Sequence, residues 1–197
     1  LAVRKSGITF DVHRLSLFQP EFDGAIGTFS PSGKVPALVV DDRSIWDSLA
    51  VCEYVNELVS GSLWPREAMV RAHARSIVAE MHSGFEHLRA AMPMNCRAKN
   101  RRVELTQDVE RDIERILQIW NEARTRFGTQ GGWLFGGFSI ADAFYAPVVS
   151  RLKTYGVNVD QISREYMDVV LQDYDMLEWY RQAAQESEVL DEEEVGM

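Results

Sequence analysis

The sequence predicts a small α/β domain followed by an all-α helical bundle. Residues 33–58 combine a Val-Pro loop, a short apolar strand, a turn and a helix, which is the alternation of an α/β unit. Beyond residue 66, apolar residues recur at spacings of three and four over long stretches, which is the helical period. We therefore expect one domain at residues 1–58 and a second at residues 66–197, joined by a linker that contains Pro65.

The composition excludes several classes of function. Hydrophobic residues make up 46% and charged residues 26% of the 197, as in ordinary globular domains, and no apolar run is long enough to span a membrane. The net charge is −9, and six acids without a base lie among the last twelve residues, which predicts a solvated, frayed tail. Nucleic-acid binding is not expected, because it depends on clustered Lys and Arg. The one basic cluster is interpreted as a solvated turn between helices: Arg97, Lys99, Arg101 and Arg102.

The cysteines and histidines predict neither a disulfide framework nor a metal site. Cys52 and Cys96 are far apart and show no paired spacing, which is typical of a protein from the reducing cytoplasm. The four histidines have no spacing that metal ligands require. We therefore expect a cytoplasmic protein without a bound metal.

The first residues predict the elements of the α/β domain in order. Residues 1–7 are typical of the last turns of a helix, with Gly7 as its left-handed stop. Residues 8–18 form an apolar run that predicts a strand. Residues 20–32 are rich in Gly, Ser and Pro and predict a loop or a short irregular helix. The apolar residues 37–40 then predict a second strand.

A helix is predicted after a tight turn at residues 41–44. Asp47 and Ser48 stand where this helix begins, and a helix start offers unpaired N–H groups and a positive dipole end that suit a carboxylate ligand. Taken alone, the pair predicts only a helix cap that contributes about 1 kcal/mol. The apolar residues of the helix share one face: Ile45, Leu49, Cys52, Val55 and Val59.

The second half of the chain contains a capping signature. Ser139 precedes Asp142 by three residues at the start of an apolar-periodic segment, the spacing of a capping box. We interpret Asp142 as a structural cap and not as a catalytic acid, and we expect Phe138 to brace the helix entry. Helices are predicted at residues 66–92, 104–127, 140–155, 162–172 and 176–185.

These segments resemble the glutathione S-transferase family. The Val-Pro loop, the strand, and the acid-serine pair that opens a helix resemble the glutathione-binding half of its thioredoxin-like amino-terminal domain. The Ser-Ile-Ala-Asp segment at residues 139–142 resembles the start of the central helix in its all-helical carboxy-terminal domain. The resemblance implies the glutathione S-transferase fold, glutathione as cosubstrate, and a homodimer.

The resemblance also implies the residues of a glutathione site. It implies that the Val35–Pro36 peptide bond is cis and that the main chain of Val35 pairs with the cysteinyl part of glutathione. It assigns the γ-glutamyl end to Asp47 and Ser48, with Lys34 beside them as a polar contact.

The activity implied by the resemblance is nucleophilic attack by the bound thiolate on a small, mostly apolar electrophile. The family keeps its catalytic Ser, Tyr or Cys in a segment before the first helix ends, so the catalytic group is unknown here and we expect a serine upstream of Leu1. Such a serine is typical of the bacterial, zeta-like or theta-like branches. Three alternatives stay open: a glutathione-dependent isomerase similar to maleylacetoacetate isomerase, a non-catalytic interaction module of the same fold, and a thiol transferase or dehalogenase with an upstream cysteine.

Overall fold

The computed structural model describes residues 1–128 and 130–196. The chain divides into two compact units, Ala2–Leu63 and a second unit that begins at Trp64. The predicted helical domain also includes Thr129 and Met197, which lie outside the described residues.

The first unit contains an antiparallel hairpin and helices. In the hairpin register, Ala37 pairs with Trp46 and Val40 pairs with Arg43. Helix α1 is followed by Gly7 at φ 74°, so the predicted left-handed stop is confirmed. The bounds of the elements are α1 Ala2–Ser6, α2 Pro20–Phe29, β1 Ala37–Val40, β2 Arg43–Trp46 and α3 Ser48–Leu58.

The first unit differs from the prediction at two segments, residues 8–18 and residues 43–46. Residues 8–18 form no strand, because a strand needs a hydrogen-bonded neighbour and none of the described residues pairs with this segment. Arg43–Trp46 was predicted as the end of a turn and the start of a helix, but it forms β2, in which Ile45 pairs with Leu38. Helix α3 consequently begins at Ser48, and Ile45 does not belong to its apolar face.

The second unit is helical, as predicted. Helix α6 ends at Phe127, where Gly128 forms the cap, and helix α7 contains Pro147. The bounds are α4 Ala68–Ser83, α5 Glu86–Ala91, α6 Gln107–Phe127, α7 Ile140–Thr154, α8 Gln161–Gln172 and α9 Tyr174–Ala183.

The single helix predicted at residues 66–92 is in fact two helices, α4 and α5. Between them Phe85 adopts a left-handed conformation with φ 61°. A Cβ at Gly84 would lie 2.9 Å from the carbonyl oxygen of Glu80, closer than real Cβ contacts, so glycine suits this break. The apolar spacing continues through the break because Phe85 is still buried, and periodicity alone therefore did not reveal it.

The core of the second unit is built around Trp120, whose side chain is completely buried. The rings of Tyr145 and Tyr166 meet it edge-on, with centroids at 6.0 Å and 5.0 Å. The Tyr145 hydroxyl donates a hydrogen bond of 3.0 Å to the carbonyl oxygen of Ile77. This bond joins α7 to α4, and burial raises the pKa of Tyr145 far above its usual range.

The predicted capping box at the start of α7 is confirmed. The Asp142 carboxylate accepts hydrogen bonds from Ser139 N at 2.8 Å, Ser139 Oγ at 3.0 Å and Leu134 N at 3.1 Å. Complete burial raises the pKa of Asp142 to about 6, while these hydrogen bonds act in the opposite direction. Phe138 meets the ring of Trp133 edge-on at 5.2 Å, so it braces the helix entry as expected.

The basic turn and the acidic tail are largely exposed, as predicted, but the tail is not frayed, because hydrogen bonds hold it against the turn. Arg97 and Arg101, in the connection between α5 and α6, hydrogen-bond with residues of the tail. Opposite charges that are distant in sequence have come together, which the local sequence pattern does not indicate.

In the part of the chain that the structure describes, every helix is too short or too polar to cross a membrane.

Candidate functional site

The hairpin brings the two predicted halves of the site together. Ala37 pairs with Trp46 at the open end of the hairpin. Pro36 precedes Ala37 and Asp47 follows Trp46, so these two residues lie at the same end of the hairpin. Residues opposite each other in an antiparallel pair have Cα atoms about 5 Å apart. The Val-Pro segment and the Asp-Ser segment, which are separated by the ten residues of the hairpin, are therefore neighbours in the first unit.

Strand β2, which creates this arrangement, was missed in the sequence. A weak signal was present, because Asp41 and Asp42 lie between the apolar run at residues 37–40 and the pair Ile45 and Trp46, as a two-residue hairpin loop would. Both residues have positive φ, 47° and 64°, a conformation that Asp tolerates better than most residues.

The Val-Pro half of the site is exposed. The Val35–Pro36 peptide bond is cis, as the resemblance implied, and Val35 retains 51% of its accessible surface. Val35 lies two residues before β1 and thus outside the hairpin ladder. Lys34 is also exposed, and its backbone N–H donates to Ser32 Oγ at 3.3 Å. This segment therefore presents main chain and side chains to solvent.

The Asp-Ser half of the site begins helix α3. Asp47 is the cap, and its Oδ1 accepts hydrogen bonds from Leu49 N at 2.8 Å and from Ala50 N at 3.3 Å. The capping role of Asp47 is thus real, although the residue remains exposed. Ser48 is the first residue of the helix and is half-buried. A carboxylate, a hydroxyl and a helix start lie together here, a combination that suits a ligand with both an ammonium and a carboxylate group.

Neither cysteine has the character of a thiolate nucleophile. Cys52 lies one turn along α3 from Ser48, and burial raises the pKa of its thiol to about 11. Burial also raises the pKa of Cys96. Because the thiolate is the reactive form, both side chains are neutral at pH 7.

Three large apolar residues, in α4, in the break after it and at the C-cap of α5, belong to the core of the second unit. Met81 and Phe85 retain 3% and 8% of their accessible surface, and Met92 retains none. Within residues 1–128 and 130–196, no three His, Cys, Asp or Glu side chains lie close enough together to hold a metal ion.

Family models match both parts of the chain. The model of the glutathione S-transferase N-terminal domain matches residues 1–58, and the model of the glutathione S-transferase C-terminal domain matches residues 106–182.

The curated relatives are isomerases by name. A protein of Caenorhabditis elegans named probable maleylacetoacetate isomerase is 32% identical over 89 residues, which are 45% of this chain and 42% of that protein. The maleylacetoacetate isomerase of Mus musculus is 26% identical over 168 residues, which are 81% of this chain and 74% of that protein. The chain thus spans less than half of the nematode protein and about three quarters of the mouse protein.

Solved structures of glutathione transferases share the fold. A glutathione transferase homolog from Burkholderia, crystallised with bound glutathione, has a TM-score of 0.69 at 20% identity and covers 94% of this chain and 89% of its own. Glutathione S-transferase 1-6 from Anopheles dirus also has a TM-score of 0.69, at 18% identity. The match covers 93% of this chain and 88% of that protein's chain. At these identities the likeness concerns the fold alone.

Proposed function

Because the chain belongs to the glutathione S-transferase family, we propose that it is a glutathione transferase that joins the thiolate of bound glutathione to small, mostly apolar electrophiles. In this proposal residues 1–58 bind glutathione and residues 66–197 bind the electrophile. The proposal rests mainly on the hairpin register, which sets residues 35–36 beside residues 47–48. Binding lowers the pKa of the glutathione thiol when a hydrogen-bond donor is directed at the sulfur, because such a bond favours the charged form.

The proposed glutathione site uses both halves of the hairpin end. The γ-glutamyl end of glutathione carries an ammonium and a carboxylate. The Asp47 carboxylate suits the ammonium, while the Ser48 hydroxyl and the start of α3 suit the carboxylate. The exposed main chain of Val35, which precedes β1, suits strand-like pairing with the cysteinyl part. Lys34 lies next to it as a further polar contact.

Replacing Ser48 with alanine is expected to weaken glutathione binding roughly tenfold, because a hydrogen bond to a charged group contributes about 1.5 kcal/mol. Isothermal calorimetry with glutathione measures this change. Ser62→Ala is the matched control, since Ser62 is an exposed serine of the same unit and lies outside the proposed site. If both variants bind glutathione as tightly as the parent chain, Ser48 does not contribute to the site.

A second candidate function is glutathione-dependent isomerisation, which the names of the curated relatives favour. In this reaction the thiolate adds to a carbon–carbon double bond, rotation follows about the resulting single bond, and elimination restores the double bond. Glutathione is released unchanged, so it acts as a cofactor. The same glutathione site serves both reactions, and only the fate of the thiol distinguishes them.

The two functions differ in how much thiol they consume. With a chlorodinitrobenzene as electrophile, we expect loss of one glutathione thiol and release of one chloride per product. A thiol reagent measures the glutathione that remains, and absorbance measures the product that has formed; together they give this stoichiometry. If instead only maleylacetoacetate is converted, and the concentration of glutathione thiol stays constant, the protein is an isomerase. Tight glutathione binding without either turnover would contradict both and indicate the non-catalytic module.

The proposal extends to a homodimer, which the family resemblance implies, in the cytoplasm, the reducing compartment that two free cysteines favour. A mass in solution of twice 22.4 kDa by light scattering is the expected result.

A further inference from the structure

Residues 186–196, here called the tail strap, lie against the connection between α5 and α6. The connection carries Arg97, Arg101 and Arg102, while the tail strap carries six acids. The two segments are about ninety residues apart in sequence, since the bond between Arg97 and Glu186 spans 89 residues. Their contacts join the tail of the second unit to its own basic turn.

Arg97 holds the beginning of the tail strap through its main chain. Its Nη1 donates to the carbonyl oxygen of Glu186 at 2.7 Å, and its Nη2 donates to the carbonyl oxygen of Glu188 at 2.6 Å. The planar guanidinium presents both donors in a fixed fork. One exposed side chain therefore holds two carbonyl groups of irregular backbone, two residues apart.

Glu194 holds the end of the tail strap through its side chain. Its Oε2 forms an ion pair with Arg101, and its Oε1 accepts a hydrogen bond from Asn95 Nδ2 at 2.7 Å. The side chains of Arg101 and Glu194 are only 15% and 20% exposed. Nearby, Arg102 N donates to the carbonyl oxygen of Gly196 at 3.1 Å. A Cβ at Gly196 would lie 2.6 Å from the carbonyl oxygen of Arg102, so this close approach requires glycine.

The tail strap is held by polar contacts and not by apolar burial. No residue of 186–196 is buried, and Val189 retains 55% of its accessible surface. A cavity of about 430 Å³ lies between the strap and the turn, with Arg97 and Arg101 on one side and Asp191 and Glu194 on the other. Segments with few buried apolar contacts open at low free energy, and salt screens the charges that hold them.

We propose that the tail strap is a charge-controlled closure of the α5–α6 turn, which opens and closes over the cavity while the helices stay folded. The Glu194 carboxylate is its latch, because it joins the strap to two side chains of the turn. Loss of that charge opens the strap, and high salt has the same effect. Closure shields the backbone of the turn and completes the cavity, and opening removes the wall formed by the strap and exposes Arg101 to solutes. The inference concerns the second unit alone and does not depend on the proposed glutathione site.

Hydrogen–deuterium exchange of the full chain tests the latch. In Glu194→Gln, which keeps the size of the side chain and removes its charge, the amide of Arg102 is expected to exchange about fivefold faster, the change that roughly 1 kcal/mol produces. Glu192→Gln is the matched control, because it removes one negative charge at an exposed position of the tail strap. In the parent chain, raising the salt from about 0.01 M to about 1 M, which shortens the screening length about tenfold, is expected to reproduce the effect of Glu194→Gln.

Three results would overturn the proposal. Equal exchange at Arg102 in Glu194→Gln, Glu192→Gln and the parent chain would show that the carboxylate is no latch. Faster exchange throughout α6 and α7 in Glu194→Gln would show general unfolding and not opening of a strap. A double-mutant cycle with Arg101→Met distinguishes the Arg101–Glu194 ion pair from a general effect of net charge. Glu194→Gln should change the exchange rate of Arg102 little further once the Arg101 side chain is absent. Undiminished effects in that background would also contradict the latch.

Discussion

Asp142→Ala is expected to lower the free energy of unfolding of the helical unit by about 3 kcal/mol, because buried donors that lose their acceptor cost about 1–3 kcal/mol each. The carboxylate is completely buried and accepts bonds from Ser139 N, Ser139 Oγ and Leu134 N. The raised pKa of Asp142, about 6, indicates that burial of the charge offsets part of this stabilisation. Urea titration followed by helical circular dichroism measures the change.

The matched control for Asp142 is an exposed cap. Thr106 caps α6 through a hydrogen bond of 3.4 Å from Val109 N to its Oγ1, and Thr106→Ala is expected to cost about 1 kcal/mol or less. The glutathione affinity of folded Asp142→Ala should equal that of the parent chain. If binding is lost while stability is unchanged, Asp142 belongs to the site and the structural assignment is wrong.

Trp120→Ala is expected to lower the free energy of unfolding by about 4 kcal/mol, the middle of the range for a large core aromatic. The substitution leaves a cavity where Trp120 is fully buried, and it removes the edge-on contacts with Tyr145 and Tyr166. The same urea titration measures the loss. In the same unit Trp179 is 51% exposed, and Trp179→Ala is expected to cost less than about 1 kcal/mol. Similar costs for the two variants would contradict the assignment of Trp120 as the centre of the core.

The sequence predicted the long helices well because their signals are local. The apolar stripe of α6 and the stop at Gly128 lie within one segment, and the capping box at Ser139 and Asp142 spans four residues. Such patterns depend on neighbouring residues and on helix geometry alone. The break at Gly84 was missed because buried Phe85 preserves the apolar period through a left-handed residue.

What the sequence did not predict depends on pairing between distant or unexpected partners. The apolar pattern of residues 8–18 is compatible with a strand, but a pattern cannot supply the partner that a strand requires. The contact of Arg101 with Glu194 joins residues 93 apart, beyond any local rule. The candidate site was predicted only in part. Its residues were identified by resemblance to a family, but their proximity depends on strand β2, which the sequence analysis did not predict.

The hairpin also separates the candidate site from its connecting turn. Four pairs of residues lie between the open end at Pro36 and Asp47 and the closed end at Asp41 and Asp42, a length of about 13 Å at 3.3 Å per residue. We therefore expect the exposed loop at Asp41 and Asp42 to accept an inserted epitope or fluorophore, while the paired strands keep the opposite end aligned.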